Sequence, residues 1–548
     1  MANASNIFEL KKKKKKKKKK AAILMFNWRD LENGRITSLY HPQEHVKCQP
    51  VTQRPNLTTI NDIVMKERQD MIQGMAKEAW DVYCTYAWKQ DAVCPNSGKP
   101  INMFGNDTGH MIVTSMPALL IMGLMDEYAQ AKYWVENNFD LKRFSRYQDN
   151  ANLIEHDYLG SFLSLSVLDK NNTSKKMFIQ RSIELADVLQ QSCNKKTRLP
   201  VQSFYLYYEW TSDNPIVPLI EMTSSLLEYS YLNQINESKY KKRVEAIIKF
   251  LKKVSKPNGL FMSEVNISTA QWNFNSSYLG PKSTFYSHIV KLVQQQKSLK
   301  GDGRMLIDIY RKAIKSLEYN HMFSFGQNKF LYASNINNED ANDTKRVKYN
   351  EYMELSSCSL PSTLAIGSKI MREQLLNDQT INQNEKRSIE YDISRHMQLA
   401  EELIETCHHE AISTMTGLPP KLFYFDLTQE QQQEIDLNEP KIGFRKFLFT
   451  SELAESYFIL WRTTQDIKYR EYAWQHAKAI KKHCRSVNGG YTILRNVNTG
   501  TQLDIQYGYF ISKTLMYLYL TFSNDDTISI DKWIFNEIGQ PLPIIDEK

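Results

Sequence analysis

Apolar side chains recur every three or four positions along nearly the whole chain from about residue 66 onward, and this spacing constrains the fold most strongly. The stretch KERQDMIQGMAKEAWDVYCTYAW, for example, aligns Met71, Met75, Ala79, Tyr83 and Tyr86 along one side of a helix. Alternating patterns typical of long strands are scarce, so an all-α fold is predicted. The same period predicts further helices over 177–193, 219–233, 241–254, 284–295, 304–319, 360–375, 388–407, 451–463, 467–485 and 507–522.

The predicted helices are separated by short turns and by longer polar insertions, so they follow no constant repeat. A single chain of this kind favours an α/α toroid, in which an inner and an outer ring of helices close on each other. A helical solenoid is the alternative, but it requires a repeat of fixed length. We expect one large domain over 61–548, preceded by a disordered or irregular segment over 1–60.

Ten consecutive lysines, Lys11 to Lys20, account for the positive charge of the chain. Without them the formal charge of +9 becomes 9 − 10 = −1, so the folded part is nearly neutral and a nucleic-acid partner is not expected. Self-repulsion is expected to keep the run disordered. The AAILMF that follows is too short for a signal peptide or an anchor, and the longest apolar stretch, 112–125, is predicted to be a buried helix rather than a membrane span.

The seven cysteines are scattered without CxxC spacing, which excludes the usual zinc patterns and leaves any disulfide pairing open. One short stretch, CHHE at 407–410, brings cysteine and histidine together. A neutral surface role, in the last turns of a helical stretch, is favoured there over a metal site.

Two carboxylates, Glu452 and Glu455, are three residues apart in FTSELAESYFILW and therefore share a helix face. Such a pair suits a cation, a sugar or a proton transfer. The alternative is a solvated helix N-terminus, where the helix dipole favours acidic residues. The spacing alone leaves both interpretations open.

Eight blocks of sequence carry a resemblance to a known family. They are AWDVYCTYAWKQD (79–91), MIVTSMPALLIMGLMDEYAQAKYWV (111–135), LGSFLS (159–164), LIEMTSSLLEY (219–229), GPKSTFYSHIVK (280–291), the stretch from FTSELAE to Trp474 (449–474), TLMYLYLTFS (514–523) and WIFNEIGQPLPI (533–544). In this order they resemble the class I α-1,2-mannosidases, glycoside hydrolase family 47, over roughly residues 66–545.

The resemblance implies an (α/α)7 barrel that accepts a high-mannose N-glycan or glycoprotein and uses Ca²⁺ as cofactor. It also implies cleavage of terminal α-1,2-mannose with inversion, and a setting in the endoplasmic reticulum or secretory pathway. It leaves the oligomeric state unknown.

The resemblance assigns candidate catalytic roles to three carboxylates. Glu452 falls on the glutamate that is the candidate base, and Glu354 stands where the family has an aspartate. An alignment without gaps puts Leu153 at the position of the catalytic acid, so Glu155 replaces that acid only if two residues are deleted.

Candidate binding roles follow in the same way. The resemblance implies glycan contacts for Glu221, Glu455 and Tyr509, and Glu537 stands where a threonine would bind the metal. Glu221 and Glu228 are seven residues apart and share a helix face, and both are open to two interpretations, a glycan contact or a buried ion pair.

Many charged positions of the family are substituted in this chain. The transition state of glycoside hydrolysis is cationic, so a carboxylate nearby lowers its energy and a lysine raises it. Two unit charges 4 Å apart interact by roughly 4 kcal/mol at an effective dielectric constant near 20, and the same lysine would repel Ca²⁺. The substituted positions are Thr114, Pro117, Asp157, Ser283, Ser287, Lys421 and Lys513.

The substitutions predict a family member that recognises high-mannose N-glycans with impaired catalysis. Two alternatives stay open. One is an active, divergent, inverting and calcium-dependent mannosidase that uses Glu452 as base, Glu155 or a substitute as acid, and a shifted Ca²⁺ site around Glu537. The other is a helical scaffold without catalysis.

Overall fold

The computed structural model describes residues 59–545, apart from gaps at 145–148, 151–153, 206–209, 212–213, 237–238, 257–258, 298–300, 327, 335, 338–347, 350–351, 426–442 and 450. From Thr59 onward the chain forms one compact unit. The lysine run and nearly all of the segment predicted to be irregular, 1–60, lie outside the described residues, as does Leu153.

Helices account for most of the described residues. The α-helices are α1 (Thr59–Tyr86), α2 (His110–Ile121), α3 (Met125–Asn138), α4 (Gly160–Leu168), α5 (Asn172–Leu189), α6 (Leu219–Thr223), α7 (Leu226–Ile235), α8 (Lys241–Lys253), α9 (Phe285–Gln296), α10 (Asp302–Tyr319), α11 (Leu360–Asn377), α12 (Gln383–Ile412), α13 (Glu452–Thr464), α14 (Lys468–His483) and α15 (Met516–Phe522). Two π-helical turns, Glu155–Leu159 and Phe510–Leu515, lead directly into α4 and α15. Short 3₁₀ segments cover Leu141–Phe144, Gln190–Ser192 and Leu355–Ser359.

Seven of these helices pack side by side in a closed inner ring. Going around the ring, α2 contacts α4, followed in turn by α7, α9, α11, α13 and α15, and the π-helical turn before α15 packs back against α2. Each inner helix contacts an outer one, in the pairs α2 with α3, α4 with α5, α7 with α8, α9 with α10, α11 with α12, α13 with α14 and α15 with α1. The predicted (α/α)7 barrel is therefore confirmed.

The two rings differ in the way their side chains are buried. Inner helices are covered on all sides, as in α9, where every residue from Phe285 to Gln295 is buried, and in α13 from Leu453 to Arg462. Outer helices such as α10 and α8 bury one face only, which produces the apolar spacing visible in the sequence. The stretch 112–125 lies largely in the inner helix α2, whose residues 110–119 are all buried, as predicted.

One predicted helix is interrupted. The segment 219–233 divides into α6 and α7 because Ser225 leaves the helical conformation, with φ −98° and ψ 14°. Within the described residues, no helix is long and apolar enough to cross a membrane.

Strands within the described chain are two to four residues long and form small antiparallel sheets in the connections. They are β1 (Ala92–Cys94), β2 (Lys99–Ile101), β3 (Asp149–Asn150), β4 (Ser203–Tyr205), β5 (Trp210–Thr211), β6 (Ile216–Pro218), β7 (Glu264–Asn266), β8 (Gln271–Trp272), β9 (Phe323–Phe325), β10 (Leu331–Ala333), β11 (Ile336–Asn337), β12 (Lys348–Tyr349), β13 (Tyr352–Glu354), β14 (Leu422–Tyr424), β15 (Ile493–Asn496), β16 (Thr501–Leu503), β17 (Gln506–Tyr507), β18 (Trp533–Phe535) and β19 (Pro541–Pro543).

The last hairpin, β18–β19, carries its turn into the ring. Its Asn536 Nδ2 donates to the carbonyl of His156 at 2.9 Å, and Gln540 Nε2 donates to the carbonyl of Thr114 in α2 at 2.8 Å. Gly539 has φ +82° and packs so closely on Lys513 that a Cβ atom there would lie 3.1 Å from the lysine Cγ. The turn therefore places Glu537 among the inner helices.

A disulfide joins Cys358, just before α11, to Cys407 in α12. Both cysteines are fully buried, and the carbonyl of Cys358 accepts a hydrogen bond from Ser456 Oγ in α13 at 2.6 Å. The bridge therefore connects an inner helix to its outer partner, next to the start of α13.

Candidate functional site

Helix α13 begins with the carboxylate pair that the sequence singled out. Glu452 is its first residue and is partly exposed, whereas Glu455 is one turn further along and 5% exposed. Because α13 belongs to the inner ring, the interpretation as a solvated helix N-terminus does not describe Glu455. The two residues lie on an inner helix of the barrel.

Two lysines approach Glu455 from neighbouring elements. Lys291 Nζ, from α9, lies 2.9 Å from Glu455 Oε1, and Lys513 Nζ, from the π-helical turn before α15, lies 3.7 Å from Oε2. Burial disfavours the charged form of Lys513, but Glu455, Glu537 and Glu452 outweigh it and raise the pKa of that lysine. The lysine that replaces a family glutamate is thus surrounded by carboxylates.

Glu537 lies opposite α9 in the turn of the last hairpin. Its Oε2 is 2.9 Å from His288 Nε2, and the other ring nitrogen of His288 is 2.9 Å from Thr223 Oγ1. Burial opposes ionisation of Glu537, but the hydrogen bond and charge of His288, together with Lys513, lower its pKa well below the ordinary value. The Glu537 side chain is still 30% exposed, so this part of the ring interior is open to solvent.

A second group surrounds Asp157, in the π-helical turn before α4. His110 Nε2 and His156 Nδ1 each lie 2.6 Å from its carboxylate, and the Tyr509 hydroxyl donates to it at 3.0 Å. Burial alone would raise the pKa of Asp157, but the two histidines lower it below its ordinary value. Burial would lower the pKa of His156, and Asp157 outweighs this effect and raises it. The arrangement holds His156 in one orientation and favours its protonated form.

Glu155 begins the same π-helical turn but has different partners. Arg243 Nη2, from the outer helix α8, is 2.5 Å from Glu155 Oε1 and 2.7 Å from Oε2, and the Tyr229 hydroxyl donates to Oε1 at 3.1 Å. The carboxylate is fully buried. Both of its oxygens are therefore committed to an internal ion pair between the inner and outer rings.

Glu354 ends β13 and also has a cationic partner. Lys282 Nζ lies 2.6 Å from its Oε1, and the two side chains are 43% and 23% exposed for the lysine and the glutamate. The pair is accessible to solvent, so a ligand can compete with it.

The two acids of the segment 219–229 have different surroundings. Glu221 is half-buried and accepts a hydrogen bond from Gln202 Nε2 at 3.3 Å. Glu228 is fully buried and accepts from Asn536 Nδ2 at 2.8 Å, and burial raises its pKa to about 7. Among the contacts described for Glu228 there is no lysine or arginine, so a buried ion pair is not supported, and a glycan contact stays a prediction.

The CHHE stretch has packing contacts. Cys407 is in the disulfide, His408 stacks on Tyr472 with ring centroids 3.5 Å apart, and His409 stacks on Phe330. Burial lowers the pKa of His408 to about 4. Cys407 and His408 are both buried, so the predicted surface role is wrong for these two residues.

The residues around Glu537 do not fit a calcium site. Ca²⁺ takes six to eight oxygen ligands, whereas Glu537 shares its carboxylate with His288 and Glu455 is flanked by two ammonium groups. In the part of the chain that the structure describes, no group of three or more His, Cys, Asp or Glu side chains is arranged to hold a metal ion.

Sequence reasoning missed three cationic or polar partners in this region, His288, Lys291 and His156. The first two lie in the block GPKSTFYSHIVK, in which only the substituted acid positions, Ser283 and Ser287, drew attention. The available signal was their spacing, because His288 and Lys291 are three residues apart and share a helix face.

Comparisons with known proteins agree with this architecture. The model of glycosyl hydrolase family 47 matches residues 75–544. The chain is 28% identical, over 88% of its length and 68% of the relative, to mannosyl-oligosaccharide alpha-1,2-mannosidase IA of Drosophila melanogaster. It is 29% identical to mannosyl-oligosaccharide 1,2-alpha-mannosidase mans-2 of Caenorhabditis elegans, over 87% of this chain and 76% of that one.

A solved structure, the alpha-1,2-mannosidase from Trichoderma reesei, has the same fold, with a TM-score of 0.73 at 16% identity over 88% of this chain and 99% of that chain. The family match spans most of the barrel, and its relatives align over most of their own length. The chain therefore belongs to glycosyl hydrolase family 47.

Proposed function

We propose that this chain recognises high-mannose N-glycans in the ring interior and does not hydrolyse them by the two-carboxylate mechanism. One observation carries the proposal: four of the candidate carboxylates have the side chain of an arginine, a lysine or a histidine within 4 Å. The pairs are Glu155 with Arg243, Glu354 with Lys282, Glu455 with Lys291 and Lys513, and Glu537 with His288.

Inverting hydrolysis needs one carboxylic acid to protonate the leaving oxygen and a second carboxylate to activate water. Glu155 has both oxygens engaged by Arg243 and Tyr229, which leaves no proton donor on that carboxylate for a sugar. Lys513 adds positive charge where the transition state also becomes positive. An ammonium 4 Å from that charge opposes it by roughly 4 kcal/mol at a dielectric constant near 20.

Glycan recognition is supported by the side chains that stay accessible. Glu452, Glu537 and Tyr509 are partly exposed and offer a carboxylate pair and an aromatic ring, the groups that sugars contact by hydrogen bonds and stacking. The relatives are named for mannosyl-oligosaccharides.

A setting in the secretory pathway is part of the same proposal. The buried disulfide between Cys358 and Cys407 supports it, because such bonds persist in oxidising compartments.

A second candidate function, slow hydrolysis, is favoured by the pair of His156 and Asp157. The histidine lies one residue after Glu155, in the segment aligned with the family acid, and Asp157 orients it. In its protonated form His156 would give a proton to the leaving oxygen, while Glu452 would take a proton from the attacking water.

The test uses a fluorescently labelled high-mannose N-glycan with purified protein. We expect saturable binding without release of mannose, and binding weakened by Glu452→Gln and Tyr509→Ala. Glu136→Gln, on the exposed face of the outer helix α3, is the matched control and should bind like the wild type. Release of mannose that His156→Gln and Glu452→Gln both abolish would favour the second candidate. Absence of both binding and release would indicate a scaffold.

A further inference from the structure

Six charged or titratable side chains meet in the ring interior, and together they form a central charge cluster. Its members are the carboxylates of Glu452, Glu455 and Glu537 and the basic groups of Lys291, Lys513 and His288. The acids come from α13 and the last hairpin, whereas the bases come from α9 and the π-helical turn before α15. The three acids are thus matched by three bases.

Lys513 is the member that interacts with all three carboxylates. Its ammonium lies 3.7 Å from Glu455, and its side chain is 20% exposed, so it faces the open part of the ring interior. The backbone around it is held on both sides, because Gly539 packs on its Cγ and the neighbouring Thr514 Oγ1 donates to the carbonyl of Phe449 at 2.5 Å. The backbone position of Lys513 is therefore fixed by the fold.

A divalent cation at the same place would face two obstacles. It would have to take oxygens that are already used by Lys291 and His288, and it would lie within a few ångströms of a positive ammonium. Hard cations such as Ca²⁺ need several oxygen ligands at short range. In this cluster the lysines and the histidine compensate the charge of the carboxylates, and too few carboxylate oxygens stay available to bind Ca²⁺.

We propose that Lys513, assisted by Lys291, is the resident cation of the barrel interior and takes the place of a divalent metal, so that the fold does not require calcium. The inference concerns the protein without glycan. The two proposals are tested separately. A protein that binds no glycan can still be independent of calcium, and a protein that needs calcium can still bind the glycan.

The first experiment measures the melting temperature of the wild-type protein in excess CaCl₂ and in excess EGTA, and terbium luminescence as a direct probe of a calcium-type site. We expect the same melting temperature in both buffers and no saturable terbium signal. A higher melting temperature in CaCl₂, or a saturable terbium signal lost in Glu537→Gln, would overturn the proposal.

The second experiment removes the charge with Lys513→Met and uses Lys481→Met as control, since Lys481 is exposed on the outer helix α14. We expect Lys513→Met to lower the melting temperature by several degrees in both buffers, because three carboxylates lose a shared counter-charge. The control should melt like the wild type. An unchanged melting temperature for Lys513→Met would contradict the assignment. If this variant does not fold, the wild-type comparison still decides.

Discussion

Arg243 and Glu155 form a buried ion pair between an outer helix and the π-helical turn of the inner ring, with Nη2 2.5 Å from Oε1. The guanidinium also lies over the Tyr229 ring, 4.3 Å from its centroid. Both charged side chains are at most 2% exposed, so each depends on the other for compensation. The pair has a structural role that is visible without reference to any ligand.

Removing one partner of this pair should therefore be costly. Arg243→Met would leave the Glu155 carboxylate buried and uncompensated, and we expect a loss of about 3 to 5 kcal/mol in the free energy of unfolding, measured by chemical denaturation. Arg181→Met, at a half-exposed pair with Glu184, is the control and should cost under about 1 kcal/mol. Equal costs for the two variants would contradict the structural role.

Glu228 should make the protein less stable as the pH rises. Its folded pKa of about 7 lies above the ordinary value of 4.5, so folding favours its protonated form. Its contribution is fully present below pH 4.5 and is lost as the pH rises through 7. The difference corresponds to about 3 kcal/mol.

Glu228→Gln keeps the acceptor for Asn536 and removes the charge. We expect this variant to melt higher than the wild type above pH 7 and to lose that advantage below pH 4.5, in melting curves recorded across the range. A constant offset at all pH values would show that the carboxyl does not titrate as described.

Asp157 should stabilise the protein at neutral pH. Its pKa is lowered in the fold, so its contribution is present above the ordinary pKa of 3.8 and is lost as the pH falls through the lower, folded value. Asp157→Asn replaces an ionised acceptor of three hydrogen bonds, and we expect a cost of about 2 to 3 kcal/mol near pH 7. The cost should shrink in acid, which denaturation at several pH values can check.

His156 contributes with the opposite sign. Because Asp157 raises its pKa, its stabilising charge is present below the ordinary value of 6.5 and is lost as the pH rises through the folded value. In Asp157→Asn the part of the alkaline decline that comes from His156 should disappear, while the part that comes from Glu228 should persist. A decline as large as in the wild type would assign all of it to Glu228.

The disulfide should be a substantial source of stability. It spans 49 residues, and loop closure of that length corresponds to about 4 kcal/mol in the chain-entropy model. We expect the double variant Cys358→Ser, Cys407→Ser to melt lower than the wild type and to be insensitive to dithiothreitol. Cys84→Ser changes a half-buried free thiol and should keep the wild-type response to reductant.

The outer helices were predictable because they bury one face only and therefore leave a periodic pattern of apolar residues along the chain. Boundaries of α8, α10 and α14 lie within two residues of the predicted segments. The break at Ser225 could not be foreseen, because it depends on how α6 and α7 join the ring.

The site was harder to predict than the ring. Glu452 and Glu455 stood out because they are one turn apart on a helix. Their basic partners lie in other elements: Lys291 is 164 residues from Glu455 in the sequence, and Lys513 is in the π-helical turn before α15. Ion pairs across elements leave no spacing pattern. For the same reason Arg243, the partner of Glu155, carries no sequence signal that distinguishes it from the lysines beside it.

Lys513 is tied by covalent bonds to the polypeptide that needs its charge. A bound ion can dissociate, be chelated or be exchanged for another metal, whereas this ammonium is part of every newly synthesised chain. The charge is therefore present in each molecule at any concentration of metal ions.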